Sequence, residues 1–278
     1  MTRAGRAGRR GPDSRAVRSS VIALISMVVV FGGLGWLVVQ APGWPAVQTS
    51  FLNREVLEGA MPGLLAAFVV NIQLFMIAEV LVLAFGLVLA VMRSLGGPVF
   101  LPIRVISTVY TDIFRAIPGV LVIFVLGFGI PALGLIDPRT DQRLFGIAAL
   151  TLVYSAYVSE VYRAGIESIH PSQEAAARSL GLSRLQSLRH VIVPQAVRRV
   201  IPPLLNDFIG LQKDTVLVSF IGVVEIFRFA QIESAATYNF TPFVGVALVF
   251  LVVTIPLIHL VDWLVERDRH HAAQGAAR

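Results

Sequence analysis

FVVNIQLFMIAEVLVLAFGLVLAVM, residues 68–92, carries one ionisable side chain, Glu79, and no alternation of polar with apolar positions. About 20 apolar residues in a row are what an α-helix needs to cross the ~30 Å hydrocarbon core of a bilayer. Lipid offers no partner for backbone N–H and C=O groups, so only helices and closed barrels span it. A barrel strand would show a period of two, which is absent here. The remainder of the chain agrees: of 278 residues, 56% are hydrophobic and 14% charged, with mean hydropathy +0.77. A soluble domain is about 25% charged. So few polar side chains cannot cover a water-facing globule of this size. The fold class is all-α and membrane-spanning.

Working outward, the same kind of run recurs at residues 21–39, 59–92, 109–136, 144–166, 196–227 and 241–264, which gives six expected transmembrane helices. Pro62 predicts an interfacial piece before a span that starts near Phe68. The 196–227 run is roughly 48 Å as straight helix, and Pro202, Pro203, Gly210 and Gly222 predict bends or breaks in it. Arg9 and Arg10 ahead of residues 21–39 also fit an export signal, but such a signal's apolar core is roughly 7–15 residues. A retained first helix is therefore expected. With the N-terminus inside, 17 basic residues fall on the cytoplasmic side and four (Arg54, Arg139, Arg143, Arg228) outside, with Arg115 and Lys213 near or within the membrane. Positive-inside asymmetry selects N-in/C-in. The expected organisation is a basic cytoplasmic arm (1–20), an added helix with an external loop (21–58), a core (59–268) with a cytoplasmic loop at about 167–195, and a tail (269–278).

Several functions are excluded by what is missing. There is no Cys, hence no disulfide framework or thiolate zinc site. No HExxH occurs, and the single lysine, Lys213, follows Gln212 rather than the Gly of a phosphate-cradling Gly-Lys-[Ser/Thr]. The net charge of +6 reads as Arg-rich cytoplasmic loops rather than as nucleic-acid binding. An intramembrane enzyme would need a nucleophile and base at membrane depth, and His259 is the one His inside a span. An ion channel would need repeated filter-like Gly or carboxylate segments.

The most informative polar stretch is residues 170–194, HPSQEAAARSLGLSRLQSLRHVIVP. Pro171 starts a short helix, Glu174 complements its N-terminal dipole, and Gly181 can close it in a left-handed cap. Ser183 and Gln186 form a capping box for a second helix, limited by Pro194. Ala175, Ala176 and Ala177 leave a narrow surface that another protein can approach closely. A loop tied between two spans can hardly enter a DNA groove, whatever its resemblance to a helix-turn-helix.

Glu174-Ala-Ala, Gly181 seven residues later and Ile192-x-Pro194 resemble the EAA signature of ABC-importer permease subunits. Phe114-Arg-Ala-Ile-Pro118, Tyr157-x-x-Glu160-x-x-Arg163-x-Gly165, Pro194-Gln-Ala-x-Arg198, Pro202-Pro203 and Lys213-Asp-Thr-x-Leu-Val-Ser219 are similar to segments of the polar amino-acid uptake branch. The similarity covers about residues 59–268. Ala116 and Ile117 depart from the branch's Gly-Thr, and residues 21–39 are an addition. The resemblance implies a five-helix core in a bacterial inner membrane, paired with a second permease chain, identical or homologous. It also implies an ATP-binding subunit docked under Glu174, Ala175, Ala176, Gly181 and Leu182, and an extracellular solute-binding protein that delivers a polar amino acid. ATP would be bound by the partner, with no cofactor or metal in this chain. Arg115, Pro118, Glu160 and Pro194 would be structural.

Ionisable groups at membrane depth are costly and therefore informative. Asn71, Phe75, Glu79 and Gly86 share one helical face, which either lines a pathway or packs against a neighbour. Lys213 and Asp214 either meet a zwitterionic substrate at a broken helix or form an internal ion pair. Glu160 is expected to anchor the start of the loop through Arg163 or Arg115.

Overall fold

Apolar residues that recur around helices, with small residues between them, leave lateral packing as the means of holding spans together in lipid. The computed structural model describes residues 14–134, 136–137 and 139–276, nearly all of them helical. They divide after Asn53 into two compact units. The first holds α1 (Ser14–Val39) and the short α2 (Trp44–Phe51).

The second unit begins with α3 (Arg54–Ser94), 41 residues or roughly 60 Å of helix. There is no break at Pro62, contrary to expectation. Pro62 lies exposed, while Ala60, Leu64, Ala67 and Phe68 on either side of it are buried against later helices, and the helix continues through it. A 3-10 turn leads to α4 (Leu101–Ala116), and the chain then turns sharply into α5 (Gly119–Phe124), a π turn (Val125–Gly129) and α6 (Ile130–Ala132). The expected apolar run at 109–136 is thus two pieces, Pro98–Ala116 and Gly119–Ala132, bent by 105°. The cause is local. Pro118 bars its predecessor from the helical region, so Ile117 is extended at φ −86°, ψ 130°.

Next, α7 (Gln142–Glu167) packs along α3 more extensively than any other pair of helices does. The loop follows as α8 (Pro171–Ser179), α9 (Arg184–Ser187) and a π turn (Leu188–Ile192) that runs directly into α10 (Val193–Asp214). Pro194 therefore does not end the second loop helix: it sits in the first turn after the π turn, where a missing N–H is tolerated. Pro202 and Pro203 likewise lie inside a continuous α10. The break comes later, through a 3-10 helix (Thr215–Ile221) and Gly222 at φ +92°, before α11 (Ile226–Thr237) and α12 (Thr241–Ala276).

Two cores result. Phe75, Ala78 and Val82 of α3 meet Ile123 of α5, Leu150 and Val158 of α7, and Leu211 and Val218 beyond. Leu64 and Phe68 meet Ile226 and Ala230 of α11 and Val246 and Val249 of α12. Glycines bring α7 close to its neighbours: a Cβ on Gly146 would meet Val218 Cγ1 at 2.4 Å, and one on Gly165 would meet Val200 Cγ1 at 2.0 Å. Among the described residues four helices are long and apolar enough to cross a membrane, and six spans result if each bent pair counts as one, the second pair being Arg184–Ile221 with Ile226–Thr237, bent by 50°.

Candidate functional site

Two regions carry the polar side chains singled out by sequence. The first is the loop. His170 caps α8, its Nδ1 accepting from Ser172 N at 3.2 Å. The helix closes in a Schellman motif: Leu182 N donates to Ala177 O at 3.2 Å, Gly181 N to Arg178 O at 3.0 Å, and Gly181 takes φ +86°. Only glycine adopts that angle without strain. The capping box of α9 is complete, with Ser183 N donating to Gln186 Oε1 at 2.9 Å and Gln186 N to Ser183 Oγ at 3.3 Å. Ala177 is buried on the inner face of α8, whereas Ala175 and Ala176 are exposed, as are Leu180 and Leu185 at 84% and 73%. Glu174 stands half-buried at the rim of a cavity of about 300 Å³ that also touches His170, Arg184 and Leu188. A short helix capped at both ends thus presents small and apolar side chains beside one carboxylate.

The second region lies at membrane depth, where α3, α7 and α10 meet. Asn71 is buried, and its Nδ2 donates to Thr215 Oγ1 at 3.1 Å and to Glu225 Oε2 at 2.9 Å, while its Oδ1 accepts from Ile226 N at 3.1 Å. Glu225 is 0% exposed and also accepts from Phe227 N at 3.0 Å and Arg228 N at 2.7 Å, which makes it the N-cap of α11. Four residues on from Phe75, Glu79 is half-buried within electrostatic reach of Asp207 on α10 and Tyr162 on α7. Gly86 is filled over by Val158.

Lys213 and Asp214 do not pair with each other. Asp214 Oδ2 accepts from Tyr154 OH at 2.7 Å, and Lys213 is exposed, with no ion pair among the described residues. Adjacent side chains on a helix diverge by about 100°, so the two charges face different neighbours. His259 is exposed on α12.

Glu160 gathers more than was expected of it: Arg93 of α3, Arg163 of its own helix and Arg115 of α4. Tyr154, Thr215, Glu225 and Arg93 escaped the reading of the sequence. The signal for Glu225 was an acid at the end of an apolar run, followed at once by an apolar helix start. No group of three or more His, Asp or Glu side chains suited to a metal occurs among the described residues.

Residues 83–270 match the family described as binding-protein-dependent transport system inner membrane component. The chain is 39% identical over 197 residues to the probable glutamine ABC transporter permease protein GlnM of Bacillus subtilis (strain 168), covering 69% of this chain and 88% of the relative. It is 34% identical over 217 residues to the glutamate/aspartate import permease protein GltK of Escherichia coli O157:H7, covering 75% and 94%. Among solved structures, a crystal structure of an amino acid ABC transporter with histidines superposes with a TM-score of 0.71 at 29% identity, covering 77% of this chain and 98% of that one.

Proposed function

The chain belongs to the family of inner membrane components of binding-protein-dependent transport systems, and on that premise we propose how its parts move an amino acid across a membrane. It is a permease subunit of an amino-acid ABC importer and not an enzyme, since ATP hydrolysis in this family belongs to a separate nucleotide-binding subunit. An ATP-binding partner and another permease chain go with membership of the family.

The finer reading is ours. The cargo is a polar amino acid, handed over by a solute-binding protein outside a bacterial inner membrane, with both termini of this chain in the cytoplasm. ATP is held by the partner, whose groove receives α8 through Glu174, Ala175, Ala176, Gly181 and Leu182. Glu79, Lys213 and Asp214 border the pathway, with Asn71 behind them fixing the break in the fifth span. What carries this reading is the loop geometry: a helix capped at both ends, exposed, and faced with alanine and leucine in a chain that lacks any phosphate-binding loop.

The test is uptake, ATPase activity and co-purification of the ATP-binding subunit for Gly181→Val and Glu174→Ala at matched abundance. Both substitutions should lower uptake at least tenfold, Gly181→Val by reorienting the chain from Leu182 onward. Normal uptake and full subunit association in both variants would sink the coupling role.

A further inference from the structure

One carboxylate on α7 ties together the last turns of two other helices of the core. Glu160 Oε1 accepts from Arg93 Nη1, in the last turn of α3, and lies 3.9 Å from Arg115 Nη1, in the last turn of α4. Its Oε2 accepts from Arg163 Nε at 3.2 Å and Nη2 at 2.6 Å, and Arg163 also donates to Glu167 at 2.5 Å. Three guanidinium groups thus share two carboxylates, and the bonds are unequal. Arg93 and Arg163 are directly hydrogen-bonded to a Glu160 side chain that is 17% exposed, whereas Arg115 is 44% exposed and stands at the outer limit of ion pairing. The ring of Tyr157 lies beneath Arg115, 6.0 Å from the guanidinium carbon, and Tyr157 OH donates to the Arg115 carbonyl at 3.5 Å. Arg115 is guided toward Glu160 without being locked to it.

Position in the chain gives this contact a use. Arg115 precedes by two residues the extended Ile117 at which α4 turns through 105° into α5. Glu160 lies on a helix that runs unbroken to Glu167, three residues short of the His170 that caps α8. A helix transmits displacement along its axis, and an exchangeable charge contact beside a hinge is a means of biasing two arrangements of that hinge. A contact that served only to hold the helices together would gain nothing from a third, solvent-open arginine, because exposed pairs contribute little to stability.

We propose that Glu160 is a positioning residue that links the α8 docking loop to the α4–α5 elbow, and that the Arg115–Glu160 contact forms and breaks in each transport cycle. The proposal rests on the coupling role assigned to α8. It concerns the far end of that linkage, where the movement of the loop reaches the wall of the pathway.

The experiment uses the complete transporter with its ATP-binding subunit and solute-binding protein in liposomes. Radiolabelled glutamine, glutamate, arginine and histidine are offered, and whichever the unaltered complex takes up is the probe. Uptake, basal ATPase activity and binding-protein-stimulated ATPase activity are measured for Arg115→Met, Arg115→Lys, Glu160→Gln and the double variant Arg115→Met with Glu160→Gln. We expect Arg115→Met to lower uptake per ATP hydrolysed about tenfold while basal ATPase activity, subunit co-purification and thermal stability stay unchanged. Arg115→Lys should restore most of the ratio, and the double variant should be no worse than Glu160→Gln alone. Glu160→Gln leaves Arg93 short of a counter-charge and can fail to assemble. Arg115→Met leaves no buried charge behind, so its result decides the matter. A normal uptake-to-hydrolysis ratio in Arg115→Met overturns the proposal, as does strict additivity in an assembled double variant. If that ratio is normal while Glu174→Ala and Gly181→Val are defective, the elbow linkage fails and the docking role of α8 stands. Normal behaviour of the two loop variants removes the docking role itself.

Discussion

Lys213 and Asn71 show how differently two polar residues at membrane depth can be held. Lys213 is exposed and shares no ion pair among the described residues, so replacing it strands no buried partner. Lys213→Met should therefore reduce uptake about tenfold at unchanged abundance, as read by uptake normalised to immunodetected protein; normal uptake would remove Lys213 from the pathway. Asn71 supplies two donors and an acceptor to Thr215, Glu225 and Ile226 N. Asn71→Leu leaves Glu225 short of a donor and the Ile226 N–H unpaired, each costing about 1–3 kcal/mol. A clear fall in the thermal midpoint of the detergent-solubilised protein is the expected reading, and an unchanged midpoint would show that the network is idle. Sequence made Asn71 conspicuous because an amide stood in an apolar run. It could not name partners 144 and 154 residues away.

Among the elements, capping was legible and bending only in part: Gly222 stands at the break expected of it, and the prolines mislead. Pro171, Gly181, Ser183 and Gln186 act within a few residues of themselves, and each is found in the role its local chemistry dictates. Proline was ambiguous because its effect depends on what surrounds it. Pro118 breaks its span, whereas Pro62, Pro202 and Pro203 lie inside continuous helices, Pro62 with buried neighbours on both sides. The close approach of α7 and α10 at Gly165 was also invisible, since a glycine between Ala164 and Ile166 reads as a weak helix position. Gly165→Ala places a Cβ 2.0 Å from Val200 Cγ1, and overpacking of this kind costs about 1–3 kcal/mol. Membrane abundance should fall in that variant and recover when Val200→Ala is added. No recovery in the pair would mean that the two helices are not in contact there.

At the scale of the whole molecule, the bilayer reading followed from composition alone, because too few polar side chains exist to cover a soluble surface. The orientation is testable without background, as the chain contains no Cys. A cysteine at Ser183 should react with an impermeant reagent only from the cytoplasm, and one at Thr140 only from outside; labelling of Ser183 in intact cells reverses the threading. One further consequence comes from Glu225, a fully buried acid whose partners are two N–H groups of its own turn and the amide of Asn71. Ribosomes release the chain from its N-terminus, so α3 leaves the tunnel long before residues 222–240 do. The break and α11 cannot settle in lipid on their own, because the carboxylate would lie there short of a donor. They can settle once α3 is standing beside them. The order of synthesis thus supplies the scaffold before the segment that needs it, and a circularly permuted chain that began after α3 would have to hold Glu225 in water until the end.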